Sequence, residues 1–180
     1  LNPLLDFSDL PQFEAIKPEH IGSAIDSLLE QCRTVVMELE AQSAQVTWEN
    51  FVEPLENVTE KLSRAWGIVG HLNSVVDTPE LRAAYNENQP KITEFWTALA
   101  QNLTLFTKYK ALQLGPDYAT FSDARKKIIE NAVRDFRLGG AELAEADKPR
   151  FAEIQEKHAA LTTKFSENIL DATNDYALYI

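Results

Sequence analysis

The sequence predicts an all-α protein, a bundle of about six mostly antiparallel helices preceded by an extended N-terminal arm. Apolar residues recur at intervals of three and four over most of the 180 residues, which is the period of an amphipathic helix. No segment before residue 176 alternates convincingly at a period of two, as a half-buried strand would. Short connections between the helical segments favour antiparallel neighbours.

The first element is an arm over residues 1–17, where two prolines and no sustained period predict an extended segment. Its apolar side chains are expected to lie across a core: Leu4, Leu5, Phe7 and Phe13. The first helix begins at Pro18, which suits a first turn because the missing N–H would be unpaired there. Its predicted buried stripe comprises Ile21, Ala24, Ile25, Leu28, Cys32, Val35 and Leu39.

The second helix begins near Thr47, a good N-cap, and runs to about Asp77, with Pro54 close to its start. The third follows the stop-and-start signal "DTPEL" at 77–81, and its pattern is interrupted at Pro90. Its predicted buried residues are Leu81, Tyr85, Ile92, Phe95, Trp96 and Leu99.

The fourth helix covers about 103–113, and the fifth covers about 122–138 and ends at Gly139-Gly140, where glycine can adopt the left-handed conformation. The sixth begins near Asp147. The predicted core residues of the last two helices are Ile128, Ile129, Val133 and Phe136, then Phe151, Ile154, Leu161, Phe165 and Ile169. Residues 18–175 are therefore predicted to form one helical lobe.

Composition excludes several classes of function. The net charge is −11 and no stretch concentrates Lys and Arg, so nucleic-acid binding is not expected. No apolar run approaches the roughly 20 residues that cross a bilayer, so no membrane insertion is expected. Cys32 is the only cysteine and lies on an apolar stripe, which leaves no intrachain disulfide and favours a reducing, cytoplasmic location.

The second helix contains twelve consecutive residues without a charge, "AWGIVGHLNSVV" at 65–76. A helix without charges on any face is normally enclosed. Ser63, Gly67, Gly70 and Ser74 fall on one narrow strip opposite the large apolar residues. The favoured interpretation is another helix crossing at short range, because glycine inside a helix needs a packing reason. The alternative is a groove for an extended peptide, flanked by His71 and Asn73.

No catalytic or metal-binding pattern is present. His20, His71 and His158 are widely spaced and none begins H-E-x-x-H, the helical zinc signature. A structural role is favoured for each, with His20 on the surface and His158 at the edge of the core. There is no G-x-S-x-G motif and no phosphate-binding glycine loop. We therefore expect no catalytic residue, no metal ligand and no cofactor within this chain.

Six sequence blocks nevertheless carry a resemblance. They are "NPLLDF", "LPQFEAIKPEHI", "TWENFVEPLENV", "HLNSVVDTPELRAAY", "RDFRLGGAEL" and "KFSENILDATN". In this order they resemble the N-terminal region of the thimet oligopeptidase (M3) family of zinc metallopeptidases. The resemblance covers nearly the whole chain.

The resemblance implies one lobe of a larger, mostly helical, two-lobed cytosolic enzyme that hydrolyses short peptides in a deep channel. The H-E-x-x-H motif and its zinc would lie in the missing C-terminal lobe, so this chain alone is expected to be inactive. Its expected role is to enclose peptides and select them by length. The candidate channel-wall residues are His71, Asn73, Ser74 and Arg82.

Two further expectations concern the end of the chain and its partners. Residues 176–180 close on the apolar run "YALYI", which predicts absent packing partners, since terminal residues are usually polar. Because "KFSENILDATN" resembles an internal block of the family, the resemblance implies that these residues begin a connection to the missing lobe. Apolar surface left by truncation would make self-association feasible. The competing hypothesis is a stand-alone acidic helical module that acts as an interaction or adaptor domain.

Overall fold

A computed structural model describes residues 2–178 and confirms the all-α class. The six helices are α1 Pro18–Ala41, α2 Glu53–Val75, α3 Pro79–Ala100, α4 Leu103–Leu114, α5 Asp123–Leu138 and α6 Lys148–Asn174. Four further turns are 3₁₀ or π helical: Pro3–Leu5, Phe13–Ala15, Trp48–Val52 and Pro116–Thr120. Of the expected connection at 176–180, residues 179 and 180 lie outside the described residues, whereas Tyr176 and Leu178 are exposed.

The N-terminal arm is fastened to α1 by its second residue. The Asn2 side chain accepts a hydrogen bond from the Leu4 N–H at 3.0 Å and donates one to the His20 carbonyl at 2.7 Å. Leu4 is buried, and Leu5 and Phe7 pack beside it. Phe13, by contrast, is exposed. Three of the four predicted arm contacts therefore reach the core, and the arm includes two short 3₁₀ turns.

Local capping fixes where α2 and α3 begin. Thr47 and Asn50 form a reciprocal cap, in which each side chain accepts from the other's backbone N–H, at 2.8 and 3.2 Å. A single π-helical turn then leads into α2. Thr78 caps α3 through a hydrogen bond from Leu81 N–H at 3.3 Å. The helix continues through Pro90, where the sequence pattern had indicated an interruption.

Two hydrophobic clusters form the interior. The first joins α1, α2, α3 and the arm, and it contains the predicted α1 stripe from Ile21 to Cys32, whereas Leu39 of that stripe lies in the second. The second joins α4 and α5 with the C-terminal end of α1 and the N-terminal end of α2. Val35 and Leu99 pack against both clusters. Residues of α1 and α2 belong to each, so these two long helices tie the halves of the lobe together.

The helix α6 differs from the others. It packs on α3, and Glu167 is its one buried residue. The prediction of a core face is wrong for Ile154, Leu161, Phe165 and Ile169, which are exposed because no other part of residues 2–178 covers that side of α6. His158 is also exposed, rather than at the edge of the core. On α5, Ile128 is likewise exposed although a core position was predicted.

Candidate functional site

The strip of small residues on α2 is open within residues 2–178, whereas the opposite side of the uncharged segment is buried. A Cβ atom added to Gly67 would have no atom of residues 2–178 within 4 Å, and one added to Gly70 would have only Tyr85 Cε2, at 4.0 Å. Ser63 and Ser74 on the same strip are exposed. The predicted close helix crossing is therefore wrong, and so is the expectation that this segment is enclosed. The small residues leave a shallow track instead.

The track ends in a cleft between α2 and α6. The cleft has a volume of about 160 Å³. Its lining is almost entirely uncharged and consists of Gly70, Asn73, Ser74, Tyr85, Thr162, Thr163, Ser166, Glu167 and Leu170. Tyr85 on α3 is held in place by stacking on Trp66, with ring centroids 4.6 Å apart. Burial raises the pKa of the Tyr85 phenol, and a hydrogen bond with Thr163 offsets part of that shift.

Two of the four sequence-predicted site residues, Asn73 and Ser74, line this cleft. The Ser74 hydroxyl donates to the His71 carbonyl at 2.8 Å, which leaves its oxygen able to accept a further hydrogen bond. The Asn73 Oδ1 atom is buried and accepts no hydrogen bond from any described residue. His71 is exposed, and its imidazole packs edge-on against Phe13, with centroids 5.5 Å apart.

Arg82 has a different environment. Its guanidinium donates two hydrogen bonds of 2.8 Å to Asp77 and one of 2.8 Å to Asp171 on α6. The hydrogen bonds to Asp77, and next to them the one to Asp171, raise the pKa of Arg82. The hydrogen bond from Arg82 lowers the pKa of Asp171. Arg82 thus ties the turn before α3 to α6. Three of its five N–H donors are used inside the protein, which leaves few for a peptide.

A second, larger cleft was not anticipated from the sequence. It has a volume of about 500 Å³ and lies where α2, α3, α4 and α5 meet. Glu56, Glu60 and Ser63 of α2 line it, together with the aromatic side chains of Trp96 and Tyr109. Burial raises the pKa of the Glu56 carboxyl. Ser63 lines this cleft and Ser74 lines the other, so the track from Ser63 to Ser74 connects the two clefts over about 17 Å.

The α6 residues of the first cleft were also missed. Thr162, Thr163 and Ser166 are small polar residues on one side of a helix whose other faces carry charges or large apolar groups. This contrast between small polar residues on one side of α6 and larger residues on its other sides could have identified the cleft residues from the sequence. The large cleft gave no such signal, because its walls come from four separate helices.

Neither a metal site nor a membrane span emerges from the described residues. No group of three or more His, Cys, Asp or Glu side chains in residues 2–178 could hold a metal ion. No helix in that part of the chain is long and apolar enough to cross a membrane. Cys32 is fully buried, and burial raises the pKa of its thiol to about 11, which keeps it in the unreactive thiol form at neutral pH.

Comparison with known proteins decides the family. The profile described as Neurolysin/Thimet oligopeptidase, N-terminal domain, matches residues 25–148. The chain belongs to this family. It is 43% identical over 172 residues to oligopeptidase A of Haemophilus influenzae and 42% identical to that of Escherichia coli, with 96% of the chain aligned. The resemblance predicted from the sequence blocks is thereby confirmed.

A plant relative gives the same picture. The probable cytosolic oligopeptidase A of Arabidopsis thaliana is 37% identical over 175 residues, which is 97% of this chain. In all three relatives the aligned region is 25% of the relative's own length. The chain thus spans about a quarter of the length of the curated relatives it matches.

Proposed function

We propose that this chain is the substrate-facing lobe of a longer, zinc-dependent oligopeptidase that hydrolyses short peptides. Family membership and the names of the relatives support a peptidase. The observation that carries the role of this lobe is the open, uncharged face of α2, which runs between two clefts. The solvent-facing side of a helix usually carries charged residues. An uncharged face therefore suggests a surface that is covered in the working protein, and a bound peptide would cover it.

The size of the track suits part of an extended peptide. A strand rises about 3.3 Å per residue, so about 17 Å accommodates roughly five residues. The α2–α6 cleft, with about 160 Å³, is smaller than the ~300 Å³ at which pockets begin to hold whole small molecules. It would therefore contribute one wall, and the remainder of the protein would contribute the other.

The chemistry of the cleft suits recognition of a peptide backbone. Asn73 is half-buried and lines the cleft, and its side-chain amide carries both donors and an acceptor suited to a peptide backbone. Ser74, Thr162 and Ser166 add hydroxyl groups that both donate and accept. Because these groups are neutral, they would bind the backbone without selecting for charged side chains. His71 stays a proposed flank of the track, and Arg82 is proposed to position α6 beside it.

The reaction itself is assigned to the remainder of the protein. The described residues do not fit a zinc site, so the zinc and the H-E-x-x-H glutamate of the family would be supplied from outside this chain. We further propose a cytoplasmic location, which agrees with the single buried cysteine and with the name of the plant relative.

The first experiment compares this 180-residue chain with the full-length protein. Both are assayed for zinc content and for cleavage of a quenched fluorescent peptide. We expect zinc-dependent turnover from the full-length protein and neither zinc nor turnover from the chain alone. Peptide cleavage by the purified chain would overturn the assignment of catalysis to the remainder.

The second experiment tests the wall directly, with variants of the full-length protein. Asn73→Ala removes the side-chain amide, and Asn57→Ala is a matched control on an exposed position of the same helix. A hydrogen bond contributes about 0.5–1.5 kcal/mol, so Asn73→Ala should raise KM by about two- to twelvefold with kcat unchanged. Equal KM values for the two variants would count against the cleft.

A further inference from the structure

The exposed face of α6 is the largest feature that the proposed function leaves unexplained. Ile154, Leu161, Phe165 and Ile169 are exposed to 48, 71, 65 and 50%. We call these four residues the α6 stripe. Their spacing of seven, four and four places them on one side of the helix. In α1, residues at comparable spacing are buried, so the stripe has the pattern of a packed face without a partner in residues 2–178.

The stripe is a surface distinct from the one that packs on α3. The side that meets α3 and the cleft carries Ala159, Thr163 and Leu170, which are half-buried. At 100° per residue, the stripe lies about two fifths of a turn away from them. The four side chains of the stripe together expose roughly 400 Å² of apolar surface. Apolar patches of this size often mark interaction sites.

We propose that the α6 stripe is the docking surface for the part of the full-length protein that follows this N-terminal domain, which would contact it through an apolar helix face. Two observations support this occupant. The relatives are about four times as long as the aligned chain, so in them a large body of protein is attached to the aligned region. The stripe also lies on the last helix of the described chain, Lys148–Asn174.

A second copy of the chain fits the stripe less well. A stable complex between separate proteins buries about 800 Å² on each partner, roughly twice what the stripe offers. Two copies would also each carry a net charge of −11, which opposes association. A covalently attached segment acts at an effective concentration in the millimolar range, so a small apolar patch suffices to hold it.

The position of the stripe has a consequence for the cleft. Thr162 and Ser166 line the cleft, and each directly follows a stripe residue, Leu161 and Phe165, in the sequence. A body seated on the stripe would therefore stand beside the open side of the cleft. This docking does not depend on the protein being a peptidase, because it requires only that the chain continues beyond this domain.

The test measures thiol accessibility in the full-length protein. Leu161→Cys and Leu138→Cys form a matched pair, because both leucines lie on helices and are exposed to 71 and 70%. Leu114→Cys, at an 83% exposed position, is a second reference. The labelled peptides are resolved by mass spectrometry, so that other cysteines do not interfere. The buried Cys32 should react slowly, since burial raises its pKa to about 11.

We expect the Leu161→Cys thiol to be alkylated at least tenfold more slowly than either reference thiol in the native protein, and at the same rate in urea. Native rates within threefold of each other would overturn the proposal. Protection of Leu161→Cys that grows with protein concentration, together with a dimer in light scattering, would also overturn it, because the occupant would then be a second copy.

Discussion

Replacing Gly67 with alanine should stabilise the protein, although the glycine belongs to the proposed site. Gly67 lies inside α2, where glycine costs about 1 kcal/mol relative to alanine. A Cβ atom there meets nothing within 4 Å among the described residues, so no steric penalty offsets the gain in helix propensity. We therefore expect Gly67→Ala to raise the free energy of unfolding by about 1 kcal/mol, which corresponds to roughly 2–4 °C in Tm for a protein of this size.

The control is Gly139, which has no room for an added Cβ atom. A Cβ atom on Gly139 would lie 2.4 Å from Ala100 Cβ and 3.1 Å from the Asp135 carbonyl oxygen. Gly139→Ala should therefore lower the free energy of unfolding by about 1–3 kcal/mol. Urea unfolding of the 180-residue chain, followed by circular dichroism, measures both, with equal m values as the check on two-state behaviour. A loss of stability in Gly67→Ala would show that the strip is enclosed, and would refute the open track.

Three further predictions concern stability and reactivity. The Cys32 thiol is buried and should react with a disulfide reagent only as the chain unfolds. The urea concentration at which half of it is labelled should therefore equal the midpoint of unfolding. Labelling of the native protein in the absence of urea would contradict the burial of Cys32. Thr47→Ala removes the N-cap and should cost about 1 kcal/mol in urea unfolding, and an unchanged midpoint would argue against the reciprocal cap. Arg82 lowers the pKa of Asp171. The ion pair therefore stabilises the fold at pH values above the ordinary pKa of aspartate, about 3.9. This stabilisation is lost as the pH falls through the lowered pKa of Asp171. Arg82→Gln should accordingly weaken the dependence of stability on pH below about 4, as measured by urea unfolding from pH 3 to 6, and an unaltered pH profile would exclude the pair as its cause.

The positions of the helices could be predicted from the sequence because each has its own local signals. The N-cap residues Thr47 and Thr78 act within one turn of their helices, and prolines stand in the first turns of α1, α2 and α3. The stripe of α1 was also predicted, since its neighbours are all within this chain. For these elements the chain contains both the local pattern and the residues that contact it.

The environments of α2 and α6 could not be predicted in the same way. An apolar stripe such as Leu161 and Phe165 has the same period whether it packs within the chain or against a separate body. The absence of charge on α2 likewise indicates only that this face avoids bulk solvent in the working protein. The hydrogen bond between Arg82 and Asp171 joins residues 89 positions apart, and no local pattern reveals such a pair. The sequence therefore indicated candidate residues of the cleft but not its shape.

The most direct test of the peptide-facing lobe is hydrogen exchange of the full-length protein with and without a saturating short peptide that carries a non-cleavable bond. The proposed wall requires slower exchange in residues 65–76 of α2 and 162–170 of α6 when the peptide is bound. Residues 18–41 of α1 line neither cleft and serve as the reference, where exchange should not change. Protection confined to segments outside this chain, with residues 65–76 unchanged, would contradict the central claim.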